Sequence, residues 1–193
     1  TEEINTCQSV YNLSLIGWHG ANQSSYFYGL IDEISIWSTA ITQSQAQSYM
    51  TTSPTGSESG LVGYWNFNEG SGSTLTDQTS NGNDGSINGA TWSDDVPTPP
   101  ADPPPSVNHS LSFDGVDDYA EIPHISDYTF PSGEQTIQFD IKLSSFTSSS
   151  QPTADYIVWK IDESLGVGNL GMGFDCGVGY STIHFRLWGN GTG

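Results

Sequence analysis

Basic residues are scarce in this chain of 193 residues, which has three Lys or Arg against 22 Asp or Glu and a formal net charge of -19. Such a surface repels phosphate backbones and anionic lipids, so we expect no nucleic-acid partner and no membrane partner. It favours divalent cations, salty surroundings or neutral ligands such as sugars. A charge that serves only solubility is the alternative explanation.

Long apolar runs are missing too, so no segment is predicted to insert into a membrane. The first residues, TEEINTCQSV, lack the basic start and apolar stretch of a signal peptide, so we expect a removed leader or a piece of a longer protein. The two cysteines, Cys7 and Cys176, permit one disulfide or two thiols and lack metal-ligand spacing. With abundant Ser, Thr, Gly, Asn and aromatic residues, the composition predicts a secreted or cell-surface all-β protein.

Catalytic patterns are also lacking. There is no Gly-x-Ser-x-Gly, the four histidines have no zinc spacing, and GSGS at residues 70–73 lacks the lysine and helix of a phosphate-binding loop. The adjacent acids Asp32 and Glu33 lie on a predicted strand, where we expect their side chains to point to opposite faces. We therefore predict that the chain is not an enzyme.

Alternation of apolar and polar residues predicts many short strands, which favour an antiparallel β-sandwich or jelly roll. The clearest runs over residues 135–143, where the apolar residues should face a core and the polar ones solvent. Those apolar residues are Ile137, Phe139, Ile141 and Leu143. The predicted strands are residues 13–18, 31–37, 61–67, 109–115, 118–123, 135–143, 155–162 and 181–188.

Turns and one helix are predicted between these strands. Residues 42–50 resemble a short helix with Thr42 as its N-cap. SNGNDG at residues 80–85 contains Asn-Gly and Asp-Gly, which suit tight hairpin turns. The proline-rich residues 97–105 should run extended, at about 3 Å per residue.

Three stretches resemble laminin G-like domains of the concanavalin A-like jelly-roll superfamily. GLIDEISIWSTAIT at residues 29–42 resembles their last core strand, with Gly-x-Ile-Asp-Glu-x-x-x-Trp and a short helix after it. Residues 60–92 resemble their lead-in segment, and residues 110–123 their first core strands. The laminarinase-like members carry Glu-x-Asp-x-x-Glu, which this chain lacks, so the resemblance implies a non-catalytic jelly roll.

The order of these stretches is reversed, because the domain end precedes the domain beginning. Three arrangements are open: a window cut from a tandem array, a circularly permuted unit, or a subunit whose N-terminal strands complete a neighbour in a head-to-tail polymer. The predicted parts are C-terminal strands (1–52), a linker (53–60), a lead-in strand with an Asn/Gly-rich loop (61–96), a Pro-rich linker (97–107), and N-terminal and middle strands (108–193).

Calcium is the cofactor that the oxygen-rich loops predict, because hard cations prefer carboxylate and amide oxygens. One loop supplies Asp77, Asn81, Asn83 and Asp84, and FDGVDDY supplies Asp114, Asp117 and Asp118. The resemblance implies a structural calcium to which Asp114 and Asp32 contribute. The alternative is ordinary turn chemistry, which favours the same residues.

Aromatic side chains predict a sugar platform around Trp18, with Tyr26 and the amides of Asn22 and Gln23 nearby. Trp37 and Trp65 alternate with aliphatic residues and are expected in the core instead. We predict a non-catalytic extracellular module for adhesion or extracellular structure, a self-associating repeat of a surface fibre. The alternative is a carbohydrate-binding module of a secreted glycan-active protein.

Overall fold

The computed structural model describes residues 14–18, 26–96, 108–122 and 136–143, and the backbone of three further strands at 155–160, 173–179 and 182–188. The described elements are β1 (Ser14–Ile16), β2 (Tyr28–Trp37), α1 (Gln43–Tyr49), β3 (Leu61–Trp65), β4 (Thr74–Leu75), β5 (Gly85–Asn88), β6 (Thr91–Ser93), β7 (Ser110–Asp114), β8 (Tyr119–Ile122), β9 (Thr136–Leu143), β10 (Asp155–Lys160), β11 (Gly173–Gly179) and β12 (Thr182–Trp188).

The strands form two antiparallel sheets, which confirms the predicted all-β sandwich. One sheet has the order β12-β11-β10-β1-β8-β5-β4. The other has the order β3-β2-β7-β6, and β9 pairs with the opposite edge of β2. All eight predicted strands are present, whereas β4, β5, β6 and β11 were missed. The first three are too short for a readable period, and glycine interrupts the apolar pattern of β11.

The core lies between the two sheets and takes side chains from both. Ile16, Leu75 and Ile122 come from one sheet, and Ile31 and Phe113 from the other; all are essentially inaccessible to solvent. The predicted apolar face of β9 packs against this core. On the face predicted to be in solvent only Lys142 is exposed, whereas Gln138 and Asp140 are partly buried. Apolar side chains that alternate along the strands therefore fill the space between the two sheets.

The helix α1 forms where it was predicted, with Thr42 as its N-cap. The Thr42 hydroxyl accepts from the backbone of Gln45, and the Gln45 side chain accepts from the backbone of Thr42, which completes a capping box. Near it, the ring of Trp37 stacks on Tyr49 at 5.3 Å between centroids. Among the described residues, no helix has the length and apolarity needed to cross a membrane.

The N-terminal strands occupy central positions in both sheets. β1 lies between β8 and β10. β2 pairs along one edge with β3 and β7, and along the other with β9. The segment that resembles a domain end thus pairs, within this chain, with strands that resemble a domain beginning.

Candidate functional site: an aromatic and acidic edge of the sandwich

Two connections between the sheets lie side by side at one end of the sandwich. The first leads from β1 to β2, and the second leads from β7 to β8. They lie close together, because a Cβ on Gly17 would lie 3.4 Å from the backbone oxygen of Asp118, and only 2.6 Å from the Phe113 ring at the end of β7. Gly17 has φ +84°, a conformation that favours glycine. The first residue of β2, Tyr28, pairs with the last residue of β7, Asp114.

Three half-buried rings meet at this edge and form what we call the aromatic group: Trp18, Tyr26 and Tyr119. Trp18 stacks on Tyr26, with ring centroids 5.5 Å apart and planes 10° apart. Tyr119 is tilted against Trp18 at 5.2 Å. The structure therefore brings the predicted sugar-binding residues Trp18 and Tyr26 together, whereas Asn22 and Gln23 lie outside the described residues.

Tyr119 was missed by sequence reasoning, although it directly follows the acidic pair of FDGVDDY. The sequence of β8 does not say whether Tyr119 faces the core or the solvent. Only the contact between the two connections places its ring beside Trp18. A neighbouring acidic turn was the signal that could have indicated it.

The acidic loop, residues 114–118, lies next to the aromatic group. Carboxylate oxygens of Asp114, Asp117 and Asp118 all lie within 4.8 Å of one another. Asp118 is buried and accepts a 2.7 Å hydrogen bond from the Asp114 backbone. Burial raises the pKa of Asp118, and the charges of Asp114 and Asp117 raise it further.

The acidic loop, the aromatic group and Tyr28 together form one surface, which we call the edge site. Burial raises the pKa of the Tyr26 hydroxyl, and the charge of Asp117 is the next largest cause. Tyr28 packs over the loop, since a Cβ on Gly115 would lie 3.0 Å from the Tyr28 Cβ. Two of the exposed large apolar residues of the described chain belong here, Tyr28 at 44% exposure and Val116 at 65%.

The other predicted calcium loop uses its polar groups to hold itself on β3. Asp77 is buried, and its two oxygens accept from the backbone nitrogens of Tyr64, Thr79 and Asn83 and from the Thr79 hydroxyl. The Asp84 carboxylate accepts from the Asp77 backbone at 2.9 Å. The side-chain amides of Asn81 and Asn83 both donate to the Val62 carbonyl. These bonds are the turn chemistry considered as the alternative, and calcium at this loop stays a prediction.

The turn predicted within residues 80–85 does separate two strands, and Gly82 has φ +71°, but the connection is not a tight hairpin. The strands that pair here are β4 and β5, and they are joined by residues 76–84. Gly85 begins β5 rather than ending a turn. The Asp77 carboxylate organises a longer loop, so that a two-residue connection is not needed.

The expectation that Asp32 and Glu33 point to opposite faces is also wrong. A bulge interrupts the pairing of β2 with β9 between Asp32 and Ser35, and Glu33 has φ +53°. Ile31 and Ile34 both face the core, so neither acid between them does. The Glu33 carboxylate accepts from the hydroxyls of Tyr64 and Ser53 instead.

Asp32 lies away from the edge site. It sits four residues along β2 from the partner of Asp114, roughly 13 Å at the rise of a strand, so the two predicted ligands do not converge. Asp32 is buried opposite Asp140. Burial, followed by the charge of Glu33, raises the pKa of Asp32 to about 8.

Cys176 lies in β11, whereas Cys7 lies outside the described residues, so the disulfide stays a prediction.

Comparisons of the chain with protein-family models, with curated proteins and with solved structures give no match. The fold class, an antiparallel β-sandwich, therefore rests on the strand pairing itself, and any functional assignment must rest on the geometry of the edge site.

Proposed function

We propose that this chain is a non-catalytic extracellular β-sandwich module that adheres to glycans through the edge site. One observation carries the proposal: the aromatic group, which includes Trp18 and Tyr26, lies directly beside the acidic loop. Ligand sites commonly combine aromatic surfaces with a few placed polar groups. The rings offer stacking surface to the apolar faces of a sugar, and the carboxylates accept from its hydroxyls.

The position of the edge site supports the same proposal. Connections at the end of a sandwich tolerate variation, while the strands beneath them hold the binding groups in place. Here Tyr28 and Asp114 are paired residues of two core strands, and Tyr119 begins a third. The laminin G-like resemblance forms part of this proposal. The structural calcium that it implies is a separate prediction, because its two implied ligands, Asp114 and Asp32, do not converge and the acidic loop is assigned here to the glycan.

Glycan binding is tested by screening the chain against immobilised oligosaccharides and then measuring affinity by calorimetry. We expect saturable binding that Trp18→Ala abolishes, because this change removes the ring shared by Tyr26 and Tyr119. Tyr49→Ala is a matched control, since it also removes a half-buried ring stacked on a tryptophan, but at the far end of β2. Equal binding by both variants would contradict the proposal.

Self-association by strand complementation is the second candidate function. The observation in its favour is that β1 and β2 are central strands, so the same pairings would form if residues 14–37 came from a neighbouring copy. Light scattering and electron microscopy of the native material, with and without chelator, test this idea. Long polymers of regular repeat support it, and a compact monomer overturns it. Loss of the polymer on chelation would assign calcium a role in assembly.

A further inference from the structure

We infer that the ligand of the edge site is a glycan that carries free ammonium groups, as unacetylated hexosamine does. This inference rests on the proposed glycan-binding function and specifies its ligand class. It is based on the exposed apolar patch of Tyr28 and Val116, on the tyrosine rings beside it, and on the charge that surrounds them.

The acidic loop makes the surroundings of this patch strongly negative, and no basic residue pairs with the loop among the described residues. The two salt bridges of the described residues join His109 to Asp94 and Lys142 to Asp95, and neither involves the acidic loop. The whole chain has only three Lys or Arg against 22 acids. A second copy of this chain is therefore a poor source of positive charge, and an anionic sugar would be repelled.

An ammonium group uses both features of the edge site, whereas the other ligands use one. A divalent cation explains the carboxylates but gains little from the rings of Tyr26 and Tyr28. A neutral sugar explains the rings but gives no role to the exposed charge of Asp117. The other two carboxylates already accept from the loop backbone, Asp114 from Val116 and Asp118 from Asp114. An ammonium group is attracted to the face of an aromatic ring and forms charge-assisted hydrogen bonds with a carboxylate.

Asp117 is the acid on which the inference depends most. It is exposed, and its carboxylate lies within 4.8 Å of that of Asp118, which directly precedes Tyr119 of the aromatic group. Asp118, by contrast, is buried and bonded to the backbone of Asp114, and a change there would disturb the loop itself. Asp117→Asn therefore removes charge from the patch with the least structural effect.

The test compares four probes by calorimetry with the whole chain: a glucosamine hexamer at a pH where its amines are charged, the N-acetylglucosamine hexamer, a glucose hexamer and an oligolysine. We expect the glucosamine hexamer to bind most tightly, with an affinity that falls as salt increases. Asp117→Asn should weaken that binding about fivefold and leave neutral oligomers unaffected. Asp94→Asn, which removes an acid whose side chain is 93% exposed, is the matched control and should change nothing.

Every other outcome of this calorimetry overturns either the ammonium inference, the proposed glycan binding or the specificity for sugars. Equal affinity for the three sugars, or no effect of Asp117→Asn, overturns the ammonium inference and leaves glycan binding intact. No binding of any sugar overturns glycan binding with these probes and the inference with it. Oligolysine binding as tight as that of glucosamine would assign the patch to basic polymers and overturn the sugar specificity.

Discussion

The two ends of β2 carry similar aromatic groups and use them differently. At the Trp37 end, Trp37 stacks on Tyr49 and is buried beneath α1 and the connection to β3. At the Tyr28 end, about 30 Å away along the strand, Trp18 stacks on Tyr26, and the rings of this group stay half-buried beside carboxylates. Stacking alone therefore does not distinguish a structural aromatic cluster from a binding surface.

What distinguishes the two ends is the segment that covers them. The covered end has a capped helix, an apolar neighbour in Leu61, and an indole nitrogen of Trp37 that donates to the Ser35 hydroxyl. The edge site has an acidic loop instead, and Tyr28 remains 44% exposed. Burial converts aromatic area into stability, whereas partial exposure beside charge leaves that area available to a ligand.

The largest expected effect is the loss of stability at the covered end. Trp37→Ala should lower the free energy of unfolding by about 3–5 kcal/mol, because it empties a fully buried site. Trp18→Ala should cost clearly less, since its ring is only half-buried. Urea denaturation of both variants measures the difference. Equal losses would mean that the aromatic group at the edge is as structural as the cluster around Trp37.

A pH effect is expected from the middle of β2. The pKa of Asp32 is about 8 in the folded chain against an ordinary value of 3.8, so between these values the folded state holds a proton that the unfolded state has lost. The stabilisation that comes from the protonated Asp32 carboxyl should therefore be fully present below about pH 4 and should be lost as the pH rises towards 8.

Asp32→Asn isolates this effect from the general repulsion of an acidic chain. The amide cannot ionise, so the variant should show a flatter dependence of its melting temperature on pH between 4 and 8. Glu33 and Asp140 act on the same carboxyl through their charges and remain in the variant. Parallel pH curves for the two proteins would show that Asp32 has no raised pKa.

The smallest expected effect concerns the helix that covers Trp37. Thr42→Ala removes the N-cap of α1 and should cost about 1 kcal/mol. Thr42→Ser keeps a hydroxyl and should restore most of that loss. Glycan binding at the distant edge should be the same in both variants; a change there would show that the two ends of β2 are coupled.

Local pattern predicted much of the fold. The alternation of Ile137, Phe139, Ile141 and Leu143 indicated the core face of β9, and Thr42 marked the start of α1. The burial of Trp37 and Trp65 was confirmed as well. The same reasoning failed at β4 to β6, whose strands are held by pairing and by the Asp77 loop rather than by a readable period.

For the candidate site, the sequence by itself determined the ingredients: a scarcity of basic residues, acidic turns, Trp18 and the strand pattern. Tertiary structure decided which ingredients meet. It set Trp18 and Tyr26 against Tyr119 and Asp117, separated Asp114 from Asp32, and placed Glu33 in a bulge. The physical reason is range, because periodicity and caps act within a few residues, whereas pairing and burial depend on strands that are far apart in the chain.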